Sequence, residues 1–239
     1  MNDAGDVEKR RGFLKQIVGV GGALPFTSAL AAGAPSPATA PLPAALVGYL
    51  CFSQDEAAFV EAMVTVMCPA DDLSPNGVDA GLAVYMDRQL AGDFGRGWKR
   101  YSRGPWLQGK PQQGNQLPLS PQQWFKAGCE AASAACVAKY GKAIDQISTE
   151  DANAFLIDMS AGKFTDGSLS VQAWFNDLIY PLFVQACFAD PIYGGNVGKV
   201  FWKMIGYPGL PATHTLDMVQ YRGKPFPGAK DPKSIADFG

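Results

Sequence analysis

The segment that most constrains the fold of this chain is residues 188–209, because no continuous helix can run through it. Asp190-Pro191 and Gly194-Gly195 interrupt it, since proline lacks the backbone N–H that a helix needs and glycine is entropically costly there. The segment also carries five aromatic residues, namely Phe188, Tyr193, Phe201, Trp202 and Tyr207. A glycine-shaped loop with so many aromatic side chains is expected to pack against something large, either the chain's own helical core or a partner.

Upstream of this segment, capping residues predict a series of short helices. The expected first and last positions, in chain order, are Ser53 to Pro69, Asp79 to Gly92, Ser120 to Gly141 and Ser148 to Gly162. A further helix follows Ser170 and has to kink or split at Pro181. Strand-like alternation is weak throughout. The sequence therefore predicts a mainly α fold, with several short helices and long ordered loops, in a single domain over residues 46–239; residues 210–239 read as an irregular tail along its surface.

Residues 93–118 form a long loop in which basic and aromatic residues alternate. Arg100, Arg103 and Trp106 are of the types enriched at protein interfaces, so a partner contact is favoured over a merely solvated loop. Basic residues among aromatics can also bind single-stranded nucleic acid. The net charge of −2 and the export signal described below argue against nucleic acid.

Acidic side chains cluster in the loop after the first predicted helix, where Asp71, Asp72, Asn76 and Asp79 follow one another. Calcium binding is one interpretation, but the alternating acidic positions and terminal glutamate of an EF-hand loop are missing. Capping of turns and helices by these side chains is the favoured interpretation.

The N-terminal residues 1–31 have the features of a twin-arginine signal peptide. Arg10 and Arg11 are followed by Phe13 and Leu14, and a glycine-diluted apolar stretch over residues 17–30 leads to a small-residue cleavage site at residues 29–31. An amphipathic or buried N-terminal helix is the alternative. Residues 32–45 are mostly alanine and proline, which predicts an extended tether.

Motifs that would hold a redox cofactor are missing from the sequence. It contains no Cys-x-x-Cys-His haem attachment site and no glycine-rich fingerprint between a strand and a helix. His214 is the single histidine, which excludes histidine-rich metal sites and bis-histidine haem. Tyr193, Asn196 and Lys203 could hold a sugar acid, but without a hydride acceptor such a pocket would not oxidise it. We therefore expect neither a cofactor nor catalytic residues in this chain.

The five cysteines are disulfide candidates, because exported proteins form disulfides and an odd number leaves at least one free or paired with another chain. They are Cys51, Cys68, Cys129, Cys136 and Cys187. Cys129 and Cys136 are seven residues apart on one predicted helix, ~10.5 Å along its axis. That exceeds the ~7 Å limit between Cα atoms in a disulfide, so these two do not pair with each other.

The motif Tyr193-Gly194-Gly195-Asn196, followed by Ile205-Gly206-Tyr207-Pro208-Gly209, resembles the third subunit of membrane-bound gluconate 2-dehydrogenase. The likeness extends over roughly residues 50–210 and includes Pro69-Ala70-Asp71, Asp79-Ala80-Gly81, Tyr101 and Gly104-Pro105-Trp106. The resemblance implies a small non-catalytic subunit of a heterotrimer. Its partners would be an FAD-bearing large subunit, which oxidises D-gluconate to 2-keto-D-gluconate, and a multihaem cytochrome c that passes electrons to quinone.

The resemblance also implies where this subunit acts. It would stabilise the flavoprotein in the periplasm, at the outer face of the inner membrane, and reach the membrane through its partners. Its signal would bring both proteins to the twin-arginine translocase, which carries folded proteins. The residues expected to contact a partner are Arg100, Arg103, Trp106, Asp190, Tyr193, Gly194, Gly195, Asn196, Trp202 and Tyr207. A stand-alone periplasmic sugar-acid binding module, or the same role in a keto-gluconate or polyol dehydrogenase, is the alternative.

Overall fold

The computed structural model describes residues 48–98, 100, 103–107, 109–110, 113, 115–164, 169–211 and 213–238. The predicted signal segment with Arg10, Arg11, Phe13 and Leu14, the tether and Tyr101 lie outside the described residues. The helices are α1 (Gln54–Met67), α2 (Leu82–Ala91), α3 (Pro121–Tyr140), α4 (Thr149–Ser160), α5 (Val171–Trp174), α6 (Tyr180–Phe188), α7 (Val200–Ile205) and α8 (Thr215–Gln220). The predicted mainly α fold is confirmed.

Capping side chains set the helix starts that the sequence predicts. Ser53 and Ser120 each form a complete capping box, in which the serine accepts a hydrogen bond from the third helical N–H and Glu56 or Gln123 accepts one from the serine N–H. Ser148 caps α4 in the simpler form, accepting from the N–H of Asp151. Within the described part of the chain, each helix falls short of the combination of length and hydropathy that a bilayer-spanning segment requires.

The start of α2 differs from the sequence prediction. Asp79 does not cap this helix; Gly81 does, with φ at +78°. The side chain of Asn76 accepts hydrogen bonds from the N–H groups of Val78 and Asp79 and donates one to the Asp79 carboxylate, so Asp79 closes a turn. In the same loop, Asp71 accepts from two backbone N–H groups. These side chains serve as turn caps, as the favoured interpretation of the acidic cluster predicts.

The long helix after Ser170 is interrupted as the proline predicts. After α5, one turn of wider π-helix over Phe175–Ile179 leads into α6, with Pro181 near its start. Proline has no N–H to donate to the preceding turn, and a π-turn at this point accommodates the missing bond.

The core is built around Trp174 and the alanine-rich helix α3. The indole lies against Gly128, where a Cβ atom would stand 2.1 Å from the ring, so only glycine permits this approach. Phe125 and Phe59 surround the same ring, with centroids 6.4 and 6.2 Å away. All three aromatic side chains are at most 4% exposed. Small residues on α3 thus allow a large aromatic group to fill the space between helices.

A buried carboxylate fixes the segment that follows the tether. Asp87 on α2 is 2% exposed and accepts hydrogen bonds of 2.8, 2.8 and 3.0 Å from the N–H groups of Leu50, Cys51 and Phe52. Phe52 stacks on Phe125 with centroids 4.9 Å apart. The domain therefore holds its N-terminal entry point by charge-assisted hydrogen bonds and aromatic packing.

Candidate partner-binding site

The loop over residues 188–209 lies directly against the start of α2, and glycines make the contact possible. A Cβ atom on Gly81 would stand 2.2 Å from the carbonyl oxygen of Gly194, and both glycines have positive φ angles. Gly195 approaches the carbonyl of Ala186 in the same way, with a hypothetical Cβ at 2.4 Å. These glycines hold the loop to the helices, so Gly194 and Gly195 offer a partner little surface of their own.

Asn196 is an internal part of this loop. It is fully buried, in the left-handed conformation with φ at +49°. Its Nδ2 donates to the carbonyl of Ala189 at 3.2 Å, and its Oδ1 accepts from the N–H of Phe201 at 3.0 Å. Asparagine suits this position because it tolerates the left-handed region and both ends of its amide find backbone partners. Asn196 therefore ties the end of α6 to the start of α7.

Trp202 on α7 is also internal, contrary to its predicted place on a partner-facing surface. It is 4% exposed, and its indole N–H donates to the carbonyl of Phe188 at 2.7 Å. The Tyr207 ring packs edge-on against it, with centroids 5.1 Å apart. The core alternative that the sequence left open applies to this residue, because the indole finds both an apolar pocket and a hydrogen-bond acceptor inside the fold.

Other members of the same segment are exposed. Tyr193 is 50% exposed and Tyr207 38%. Around Tyr207, an open groove of ≈390 Å³ has apolar walls from Phe188, Trp202, Ile205, Tyr207, Leu210 and Ile235. The buried Trp202 thus forms part of the groove lining, while the remaining side chains present apolar surface.

Asp190 borders the groove with a carboxylate that is already engaged. One oxygen accepts from the N–H of Ile192 at 3.0 Å and the other from the N–H of Ile235 at 2.8 Å. The second bond attaches the C-terminal segment to the loop. Asp190 therefore acts as a structural link, and its role in partner binding stays a prediction.

Lys199 makes a second link to the C-terminal segment. It adopts a left-handed backbone with φ at +58°, and its Nζ donates to the carbonyl of Pro232 at 2.9 Å and pairs with Asp237. The hydrogen bond from Lys199 is the main cause of the lowered pKa of the Asp237 carboxyl. The C-terminal segment, predicted as an irregular tail, is instead held in place and contains α8 and two short 3₁₀ turns.

His214 packs at the start of α8. Its Nδ1 lies 3.0 Å from the Asp217 carboxylate and its Nε2 3.2 Å from the carbonyl oxygen of Gly209. The hydrogen bond to Asp217, followed by that to Gly209, raises the pKa of this histidine. The imidazole thus joins the end of the 188–209 segment to the residues after it.

In the long loop, Arg100 supports the backbone. Its guanidinium donates to three carbonyl oxygens, those of Asn115, Leu117 and Leu119, at 2.6–3.0 Å. It also lies 6.0 Å from the centre of the Trp106 ring. Arg103 is exposed and Trp106 is 38% exposed. Of the three predicted contact residues in this loop, Arg103 and Trp106 are therefore available to a partner, whereas Arg100 holds the loop together.

All five cysteines are free thiols in the structure, which differs from the predicted disulfides. Cys68, Cys129, Cys136 and Cys187 are buried, whereas Cys51 is partly exposed. Burial raises the pKa of the Cys129 and Cys187 thiols to about 12. These two thiols are protonated near neutral pH and are poor nucleophiles, because the thiolate is the reactive form.

Of the three polar residues considered for a sugar acid, Asn196 is already fully engaged. Both amide ends of Asn196 are bonded to backbone groups inside the fold, whereas Lys203 and Tyr193 are exposed. Asn196 is therefore unable to bond a ligand without breaking the loop.

A depression of ≈400 Å³ between α1 and α4, bordered by Glu61 and Asp145, is a further concave surface that the sequence did not indicate. Glu61 accepts a hydrogen bond from Tyr49, at 2.5 Å.

Comparison with known proteins places most of this architecture in one family. The model of a family described as gluconate 2-dehydrogenase subunit 3 matches residues 54–209, from the first residue of α1 to the end of the glycine-rich segment. No curated protein and no solved structure matches the chain. The C-terminal segment from residue 210 onward lies beyond the family match.

Proposed function

This chain belongs to the gluconate 2-dehydrogenase subunit 3 family, and on that basis we propose that it is the small, non-catalytic subunit of a periplasmic dehydrogenase complex. Membership of this family implies that the chain is a subunit of a multi-subunit dehydrogenase. The finer proposal is that the chain binds and stabilises an FAD-bearing large subunit. That subunit works with a multihaem cytochrome c and oxidises D-gluconate to 2-keto-D-gluconate. A related sugar acid or polyol would be bound in the large subunit's own pocket.

The observation that carries this proposal is the match over residues 54–209, and the distribution of apolar surface supports it. Of the eighteen large apolar side chains exposed in the described part of the chain, eleven fall between residues 188 and 238. Several of them line the groove around Tyr207, and a contiguous exposed apolar surface is typical of a protein–protein contact. A subunit that binds through such a surface needs no catalytic group of its own.

The proposed export role rests on Arg10 and Arg11 and on the anchored entry point of the domain. Residues 50–52 are bonded to Asp87, so the tether would start from a fixed position on the folded protein. A signal joined in this way to a folded domain suits the twin-arginine route, which carries folded proteins. A large subunit bound to that domain would cross the membrane with it and would already contain its flavin.

Affinity purification tests the proposed subunit role. The full chain, tagged at its C-terminus and produced in its own cells, is expected to retain a flavoprotein and a protein with covalent haem in fixed ratio. After separation from its partners, the chain is expected to carry no flavin or haem absorption and to oxidise no gluconate with an artificial electron acceptor. Purification of the chain alone, or a stoichiometric chromophore on the separated chain, would contradict the proposal.

A further inference from the structure

The groove beside α7 combines a large exposed apolar area with fixed walls. Phe188, Ile205, Tyr207 and Ile235, which line it, are between 38% and 59% exposed. Four more large apolar side chains are exposed within three residues of a lining residue along the chain, namely Ile192, Tyr193, Met204 and Phe238. Such a set of half-exposed apolar side chains resembles the apolar centre of an interface.

One wall of the groove comes from outside the family match. Ile235 and Leu210 belong to the C-terminal segment, and this segment is attached at both positions. The N–H of Ile235 donates to Asp190, and Leu210 donates to the carbonyl of Lys233 at 2.8 Å. Lys233 in turn donates to the carbonyl of Pro208 at 2.9 Å. The groove is therefore completed by residues that the family-matched part of the chain does not contain.

The chemistry of the lining fits an apolar side chain better than a sugar acid or a cation. Asp190 is the acidic residue of the lining, and both of its carboxylate oxygens accept backbone hydrogen bonds. The indole N–H of Trp202 is likewise engaged, by the carbonyl of Phe188. With these polar groups occupied, the surface left for an occupant is mainly apolar, and the Tyr207 hydroxyl is the polar side-chain group that remains in the lining.

The size of this surface matches what a stable protein complex needs. An aromatic side chain contributes ~150–250 Å², and an aliphatic one somewhat less. The four exposed side chains that line the groove, each about half exposed, give on the order of 300–400 Å². A standard interface buries ~800 Å² on each partner. Somewhat more than half of an interface is apolar, so the groove is of the order of the apolar part of one side.

We propose that the FAD-bearing large subunit docks on this surface and inserts an apolar side chain into the groove between α7 and the C-terminal segment. This inference rests on the proposed function. It adds the place where the large subunit binds, and it makes residues 210–238 part of the binding surface. A second copy of this chain and a lipid surface are the competing occupants.

The test uses Ile205→Asp and Ile235→Asp in the co-produced complex, with Val137→Asp as the matched control. Val137 is 48% exposed on α3, which makes it comparable with Ile205 at 59% and Ile235 at 41%. Each variant carries a C-terminal tag, and the large subunit that it retains is measured after washing. A carboxylate buried at an apolar contact is expected to weaken retention at least tenfold for the two groove variants and to leave the Val137 variant unchanged.

Thermal unfolding of each variant shows whether it is folded. Ile205→Ala is a milder change, and it is expected to weaken retention of the large subunit severalfold. Equal retention by all variants would overturn the groove proposal while leaving the proposed function intact. A wild-type chain that retains no large subunit would overturn both. Two further results would assign the groove to a competing occupant and overturn the proposal: a wild-type homodimer that Ile205→Asp dissociates, or binding to phosphatidylglycerol vesicles that Ile205→Asp abolishes while the large subunit is still retained.

Discussion

Replacing Trp202 by alanine distinguishes a core residue from an interface residue, and we expect the core result. The side chain is 4% exposed, its N–H bonds the carbonyl of Phe188 at 2.7 Å, and the Tyr207 ring lies edge-on against it. Trp202→Ala removes the indole, empties its pocket and leaves the Phe188 carbonyl without this donor. The variant therefore loses stability before any partner is present.

The expected loss follows from burial. A buried tryptophan replaced by alanine costs ~3–5 kcal/mol of unfolding free energy. For a domain of this size, each kcal/mol lowers the melting temperature by about 2–4 °C. We therefore expect a fall of roughly 6–20 °C. Trp202→Phe keeps most of the apolar volume and loses the hydrogen bond, which is worth about 1 kcal/mol.

The assay is thermal unfolding of the purified full chain, with Tyr193→Ala as the comparison. Tyr193 is 50% exposed, so its truncation is expected to change the unfolding free energy by no more than about 0.5 kcal/mol. A fall of about 2 °C corresponds to roughly 1 kcal/mol or less. A Trp202→Ala chain that melts within about 2 °C of wild type would therefore refute the core assignment. A Tyr193→Ala chain that unfolds in isolation would refute its assignment to the surface.

Three further outcomes can be measured. Asp87→Asn is expected to lower the unfolding free energy by ~1–3 kcal/mol, because the amide has only one acceptor oxygen and its NH₂ group faces backbone N–H donors. An unchanged midpoint of chemical denaturation would contradict this. His214 has a raised pKa because of Asp217, so its stabilising contribution is complete below its ordinary value of 6.5 and is lost as the pH rises through the raised value; melting curves of His214→Gln should lack this pH dependence. Replacing both Arg10 and Arg11 by lysine should keep this chain and the large subunit in the cytoplasm, and normal periplasmic flavoprotein activity in that variant would exclude a shared signal.

The helix boundaries could be read from the sequence where a local interaction decides them. The serines at 53, 120 and 148 cap helices because the bonds join residues three apart, and Pro181 interrupts its helix because it lacks an N–H. The start of α2 could not be read in this way. Two adjacent candidates, Asp79 and Gly81, compete there, and the close approach of Gly194 from more than a hundred residues away requires glycine at the cap.

Which aromatic and polar residues face outward also depends on long-range contacts. Trp202 and Tyr193 are both aromatic residues of the 188–209 segment, yet the indole finds an acceptor inside the fold while the phenol ring is half exposed. Arg100 has the composition of an interface hot spot, but three carbonyls of its own loop occupy it. Asp87 gave no signal, because a buried carboxylate that receives three N–H groups is recognisable only once the segment 35–37 residues earlier lies beside it.

The measurement that tests the subunit role most directly is the activity of the large subunit with and without this chain. The large subunit and cytochrome are produced together in cells that lack this chain, in cells that contain it, and in cells that contain the Ile205→Asp variant. We expect periplasmic gluconate oxidation and bound flavin with the wild-type chain, and a loss of both without it or with the variant. Full activity of an exported, flavin-loaded large subunit in the absence of this chain would contradict the stabilising and export role.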